Sequence, residues 1–154
     1  MTAARDPAGL GDTDLAFLRE AIGLAHESLA SGDPPYGSVL VARNGRVLAR
    51  ERNTTATDRD LVAHPELTIA RWAHRQLTAS EVAASTLYTS CEPCPMCRNA
   101  IARSGIPRVV FALSYAQLEN LKPSGYINPD ASQPAYLGPA LYDEAKTPIR
   151  RSFT

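Results

Sequence analysis

Residues 90–97 read SCEPCPMC and hold all three cysteines of the chain, Cys91, Cys94 and Cys97. The stretch joins two different local patterns. Before it, STLYTS (85–90) has the residue types and the length of a strand. Within and after it, PMCRNAIARSG (95–105) has the proline start and glycine stop of a short helix. A second strand-like run, PRVVFALS (107–114), follows at once. Strand–helix–strand units of this kind make parallel pairs with helices laid over the sheet. Upstream, PELTIARWAHRQL (65–77) also opens on proline and is expected to be a helix. SVLVA (38–42) and RVLAR (46–50) flank Asn44-Gly45, a hairpin signal because both residues tolerate positive φ. Leu15, Leu18, Ile22, Ala25 and Leu29 recur at helical spacing within 12–33, with Asp12 or Thr13 to cap the start and Gly32 to end it. The hairpin adds an antiparallel pair to the parallel one. The fold expected is therefore α/β, a three-layer α/β/α sandwich with a central mixed sheet.

A chain of 154 residues suffices for one domain with a real core. A single domain is expected over 1–154, with 1–11 a loose arm and 116–154 a Pro-rich C-terminal tail carrying one late helix, GPALYDEAK (138–146). Sixteen basic side chains balance sixteen acidic ones, so there is no basic excess to grip a phosphate backbone, and nucleic acid is not the expected partner. Arg43, Arg46, Arg50 and Arg52, with Glu51 among them, read as a solvated hairpin edge. No apolar run approaches the length of a membrane helix, so no membrane is expected. The N-terminus has no apolar stretch of the secretory kind, and an odd number of cysteines argues against a disulfide framework; a reducing cytoplasm is the expected location.

Three sulfurs so close together suggest a metal, and a four-coordinate site needs partners from elsewhere. Cys94 and Cys97, i and i+3 at a helix start, can face one point. The helix dipole and its free N–H groups favour thiolates there, although C-x-x-C alone also fits a redox pair. His26 and His74 lie in mid-helix beside Glu27 and Arg75 and read as surface residues. His64 differs: Pro65 at the first helical position holds it out of the α region, so it should project from the helix mouth much as Cys94 does from the other helix. Two helix mouths facing each other across a sheet edge would bring His64, Cys94 and Cys97 to one Zn2+ per chain. The alternatives for His64 and Cys91 are a polar helix cap, and either a buried filler under the loop or a fourth ligand that closes the site.

His64-Pro65-Glu66 followed by Pro93-Cys94-Pro95-Met96-Cys97 is H-x-E…P-C-x-x-C, the known signature of zinc deaminases. On it the chain resembles the cytidine deaminase-like superfamily, and within it guanine deaminases and related free-nucleobase deaminases. TLYTSCEPCPMC (86–97) is similar to the guanine deaminase form of the cysteine motif; tRNA adenosine deaminases have a similar one. PPYGSVLV (34–41) resembles the family's proline–aromatic–glycine stretch, and RNTTATD (52–58) its asparagine-bearing strand end. The likeness covers roughly residues 13–115. It implies a cytidine deaminase-like fold and a zinc held by His64, Cys94 and Cys97 with Cys91 outside. It implies Glu66 as the catalytic residue, Asn53 and Tyr36 against the substrate, and a tail closing the pocket with Tyr142, Asp143 and Glu144. A homodimer is implied as well. The blander readings are a turn for Asn53, hairpin packing for Tyr36, a solvated face for the tail acids, and core packing for Trp72. One position departs from the family: Pro65 stands where most relatives carry Ala, Gly or Val, whose backbone N–H in several holds the substrate's ring carbonyl.

Three protein ligands leave the fourth zinc position open, as in a hydrolytic site. Glu66, two residues from His64, can reach that position without being a ligand and can move protons there. The function expected is a zinc-dependent aminohydrolase, deaminating a free nucleobase or related amino-heterocycle (guanine, isoguanine, cytosine or a triazine analogue) with release of ammonia. The alternatives are a tRNA adenosine-to-inosine editing deaminase and a non-catalytic, zinc-stabilised interaction module.

Overall fold

Two strands sort the layers by their alternation. In the computed structural model, which describes residues 9–154, β1 (Gly37–Val41) lies antiparallel to β2 (Val47–Arg52) and to β3 (Thr86–Cys91), and β3 lies parallel to β4 (Arg108–Leu113). The sheet order is β2-β1-β3-β4. Leu40 of β1 sits opposite Leu87 of β3, and both point to one face. There they pack with Ile69 and Ala73 of α2 (Pro65–Gln76) and Ile101 of α4 (Pro95–Ser104). Val39, Val41, Tyr88 and Val110 point to the other face, against Leu18 and Ala21 of α1 (Asp12–Ala30). These are the three layers and the mixed sheet expected. Trp72 is partly buried against the first of the two cores. One expectation differs: α2 and α4 lie side by side on that face, not across a sheet edge, because both bury apolar residues on the Leu40–Leu87 surface.

Gly37 shows how closely α1 presses on β1. A Cβ there would stand 2.4 Å from Ala21 O and from Leu24 Cβ, and 2.8 Å from Ala25 N. The hairpin turn differs from the expected one. Gly45 N–H bonds Ala42 O, Ala42 N–H bonds Arg46 O, and only Gly45 has positive φ, +85°. This is a three-residue loop with glycine in the left-handed position, and Asn44 instead uses its side chain to accept from Arg46 N–H at 3.0 Å. β2 is the sheet edge; Arg50 pairs with Glu20 at the surface at 3.1 Å, while Arg52 reaches the buried Asp33 at 3.4 Å.

Helix ends carry the other differences. Neither Asp12 nor Thr13 caps α1; Gly11 is the N-cap, and Asp14 reaches back to its N–H at 3.4 Å. Two short helices were not expected, α3 (Ala79–Ala83) and α5 (Tyr115–Leu121). Each starts with a reciprocal cap. Thr78 accepts from Glu81 N–H while Glu81 accepts from Thr78 N–H, and Ser114 and Gln117 exchange the same two bonds. Thr-x-x-Glu and Ser-x-x-Gln are visible in the sequence, but the helices they open are too short for an apolar period to announce them.

The chain divides after Leu121, so the expected tail boundary at 116 falls inside α5, which belongs to the first unit. The second unit, Lys122–Thr154, has one helix, α6 (Tyr142–Ser152), and no buried residue. The late helix thus starts at 142 and not 138: Leu141 before it is left-handed, with φ 55°, which interrupts helical geometry. Pro148 lies inside α6. Of the expected arm, residues 1–8 lie outside the described residues.

Candidate metal centre

Two helices begin in the same way. His64 is the N-cap of α2 and Cys94 the N-cap of α4; each has an extended backbone, and each is followed by proline. The proline ring excludes its predecessor from the α region and removes an N–H that the first turn could not bond. Both side chains are thereby turned away from capping and out of the helix mouth. His64 Nδ1 lies 3.7 Å from Cys94 Sγ and 3.5 Å from Cys97 Sγ. Zn–S bonds of about 2.3 Å and Zn–N bonds of about 2.0–2.1 Å at tetrahedral angles put the two donors about 3.6 Å apart. The three donor atoms lie within 4.8 Å of one another, the one such group among the described residues. Two sulfurs and an imidazole are a zinc donor set, and the spacing fits the ion. His26 and His74 are exposed. Cys91 is buried at the end of β3, opposite Leu113, and stands outside the group.

The electrostatics are those of a site made for a cation. The Cys94 thiol is pushed down to about 4, chiefly by the hydrogen bond from the Cys97 thiol, helped by His64 and the Cys97 backbone N–H. Cys97 is pushed up, because its proton is committed to Cys94 and because it is buried beside Glu66. Backbone N–H groups from both helix starts point at sulfur: Cys97 N–H at Cys94, and Leu67 N–H at Cys97.

Glu66, in the first turn of α2, is only 5% exposed. Burial raises its pKa, partly offset by its own backbone N–H and by Thr89. Its Oε2 lies 3.7 Å from Cys97 Sγ, and its Oε1 accepts from Thr89 Oγ1 at 3.0 Å. Thr89 in turn accepts from Ser38 Oγ at 2.9 Å. Neither hydroxyl was singled out from the sequence. The signal available was a polar residue on the inward phase of each strand, two positions from Leu40 and Leu87.

Asn53 is buried just after β2. Its Oδ1 accepts from Thr55 N–H at 2.9 Å and Thr55 Oγ1 at 2.8 Å, an Asx turn that leaves the amide NH2 as the group able to donate to a ligand. Its backbone is tied down as well, the carbonyl to Ser28 Oγ at 2.5 Å and the N–H to Tyr36 O at 2.9 Å. Asp33 secures the next loop, accepting from Ala56 N–H and Thr57 N–H, both at 2.9 Å, and from Thr57 Oγ1 at 2.9 Å. Tyr36 is half-buried before β1, and Pro65 is fully buried at the head of α2. Tyr142 and Asp143 lie in the second unit, exposed on the first turn of α6, where Lys146 pairs with Asp143 and stands 5.1 Å from the Tyr142 ring centroid.

Residues 12–113 match the family described as the cytidine and deoxycytidylate deaminase zinc-binding region. The chain belongs to this family. The family is one of zinc deaminases, and Zn2+ is the metal that His64, Cys94 and Cys97 can hold. Among the relatives of this deaminase, the probable cytosine deaminase of Schizosaccharomyces pombe is 36% identical over 151 residues, covering 90% of this chain and 91% of that one. The guanine deaminase of Bacillus subtilis is 42% identical over 96 residues, 62% of this chain and 60% of its own length. The tRNA-specific adenosine deaminase of the same organism is 37% identical over 98 residues, 64% and 60% of the two chains. The chain thus spans about three-fifths of these last two. A solved structure of guanine deaminase from Bacillus subtilis superposes with a TM-score of 0.71 at 28% identity, covering 94% of this chain and 96% of that one.

Proposed function

We propose that this deaminase hydrolyses the exocyclic amine of a free nucleobase or a related amino-heterocycle and releases ammonia. The observation that carries the reading is Glu66: a buried carboxylate with a raised pKa, in the first turn of the helix that bears His64 and beside Cys97. His64, Cys94 and Cys97 would hold a zinc ion, which would supply the acidity that activates water at neutral pH. Glu66 takes the proton of the attacking water and gives it to the ring nitrogen next to the carbon under attack. A second transfer protonates the amine, which leaves as ammonia while the carbon becomes a carbonyl. A carboxylate of ordinary pKa is a weak base; burial raises the pKa of Glu66 and so strengthens it as a proton acceptor. The Asn53 amide would donate to an acceptor on the heterocycle, and Tyr36 would flank the ring. Two copies would form a homodimer.

Pro65 bears on which base is preferred. It has no N–H, so a ring carbonyl set against that position would lose a donor, at a cost of about 1–3 kcal/mol. A preference shifted away from guanine or cytosine follows, toward an isomer or triazine with no carbonyl there. The balance of 16 basic and 16 acidic side chains supports a small molecule over tRNA, despite the likeness to a tRNA-specific deaminase. The test is an ammonia-release screen over guanine, isoguanine, cytosine, adenine, their nucleosides, amino-triazines and a tRNA anticodon stem-loop. The expected outcome is turnover of a free base, lost in Glu66→Gln with one zinc per chain retained. Pro65→Ala should move kcat/KM toward guanine or cytosine. Turnover of the stem-loop alone would make the protein an editing enzyme, and no ammonia from any of them would favour the interaction module.

A further inference from the structure

The Thr89 hydroxyl has one proton to give and two acceptors in reach, Glu66 Oε1 at 3.0 Å and Gly37 O at 3.4 Å. The carboxyl oxygen is the closer of the two, so it takes the proton. Ser38 Oγ donates to the same Thr89 oxygen at 2.9 Å, which turns the Thr89 proton toward Glu66. Ser38 and Thr89 are directly opposed across β1 and β3, and both are 0% exposed. They lie on the face whose next inward pair is Leu40 and Leu87. Valine or alanine would continue that apolar face, and a buried hydroxyl is costly unless it is bonded. The hydroxyl pair stands at the point where α2 lowers Glu66 onto the sheet.

We propose that Thr89, oriented by Ser38, is a positioning residue for proton transfer. It commits Oε1 of Glu66 as an acceptor and so leaves Oε2, 3.7 Å from Cys97 Sγ, as the oxygen that faces the ligand set and carries the proton. The terminal torsion of a glutamate is broad and two-fold, so without this bond either oxygen can turn inward. The inference rests on the proposed role of Glu66. It predicts a defect in turnover and not in binding.

The experiment compares zinc-loaded wild type, Thr89→Val, Thr89→Ser, Ser38→Ala and Glu66→Gln by metal content, crystal structure, and kcat and KM on the best substrate of the screen. Valine keeps the shape of Thr89 and removes the hydroxyl. Thr89→Val should keep its zinc and KM, lose kcat about 10–100-fold, and show the Glu66 carboxylate turned or split between orientations. Thr89→Ser should recover most of the loss. Ser38→Ala leaves Thr89 in place and covers the case in which the valine variant does not fold; its kcat should fall about 2–10-fold, the worth of one hydrogen bond. A carboxylate unmoved in Thr89→Val, a wild-type kcat in Thr89→Val and Ser38→Ala, or a serine variant as poor as the valine one would overturn the inference while leaving Glu66 its role. An active Glu66→Gln would remove both.

Discussion

Cys91 and Cys97 are buried cysteines of one short stretch, and the fold gives them different surroundings. Cys97, inside the first turn of α4, meets His64 Nδ1 and a backbone N–H from α2. Cys91, the last residue of β3, pairs with Leu113 and fills the end of the sheet. Cys91→Ser should therefore keep one zinc per purified chain, at a stability cost of the ordinary size for burying a hydroxyl, about 1–3 kcal/mol. His64→Ala, Cys94→Ser and Cys97→Ser should each lose the metal, since a tetrahedral site with two protein ligands binds far more weakly. Metal analysis alongside thermal unfolding checks both halves; zinc lost from Cys91→Ser would restore the closed, four-ligand site.

At the scale of elements, close approach and loop anchoring are what position the site. Gly37 lets α1 lie against β1, the strand that carries Ser38. Gly37→Ala would meet two backbone atoms that cannot move alone, and it should cost at least the 1–3 kcal/mol typical of overpacking, about that much read from the urea midpoint at constant slope. Asp33 anchors the loop that follows Asn53. Burial works to raise its pKa, but the bonds from Thr57 and Ala56 outweigh it and hold the carboxyl below its ordinary value of 3.8. A depressed carboxyl stabilises the fold above its unfolded pKa and loses that contribution as pH falls through the folded one. Unfolding free energy should accordingly drop on acidification below about pH 4, and in Asp33→Asn this part of the drop should be absent. Equal acid limbs for the two proteins would show that the Asp33 anchor does not contribute. α3 and α5 are held by side chains at their caps, and a period of 3.6 residues cannot declare itself in five or seven residues.

For the whole molecule, metal and folding are linked, because His64, Cys94 and Cys97 come from two helices that the unfolded chain does not hold together. Saturation a thousandfold above Kd stabilises by about 4 kcal/mol, which for a chain of this size is roughly 8–16 °C in Tm. Chelation should lower Tm by about that amount, and added zinc should restore it; an unchanged Tm would mean that the site binds no ion of consequence. The proposed homodimer is checked by sedimentation at micromolar concentration, where a single monomer boundary would refute it.

The sequence by itself determined the strand–helix–strand order and the mixed three-layer sheet, and it made His64, Cys94 and Cys97 candidate metal donors, a choice that the family resemblance completed. Each of these is a short-range signal: an alternation, a proline after His64 and Cys94, a spacing of three between Cys94 and Cys97. Only the tertiary structure decided that α2 and α4 share one face and that Ser38 and Thr89 meet under Glu66. Those facts depend on register across β1 and β3 and on how far α1 and α2 approach the sheet. Ser38 and Thr89 lie 51 residues apart, and nothing in either strand alone says which residue will stand opposite which.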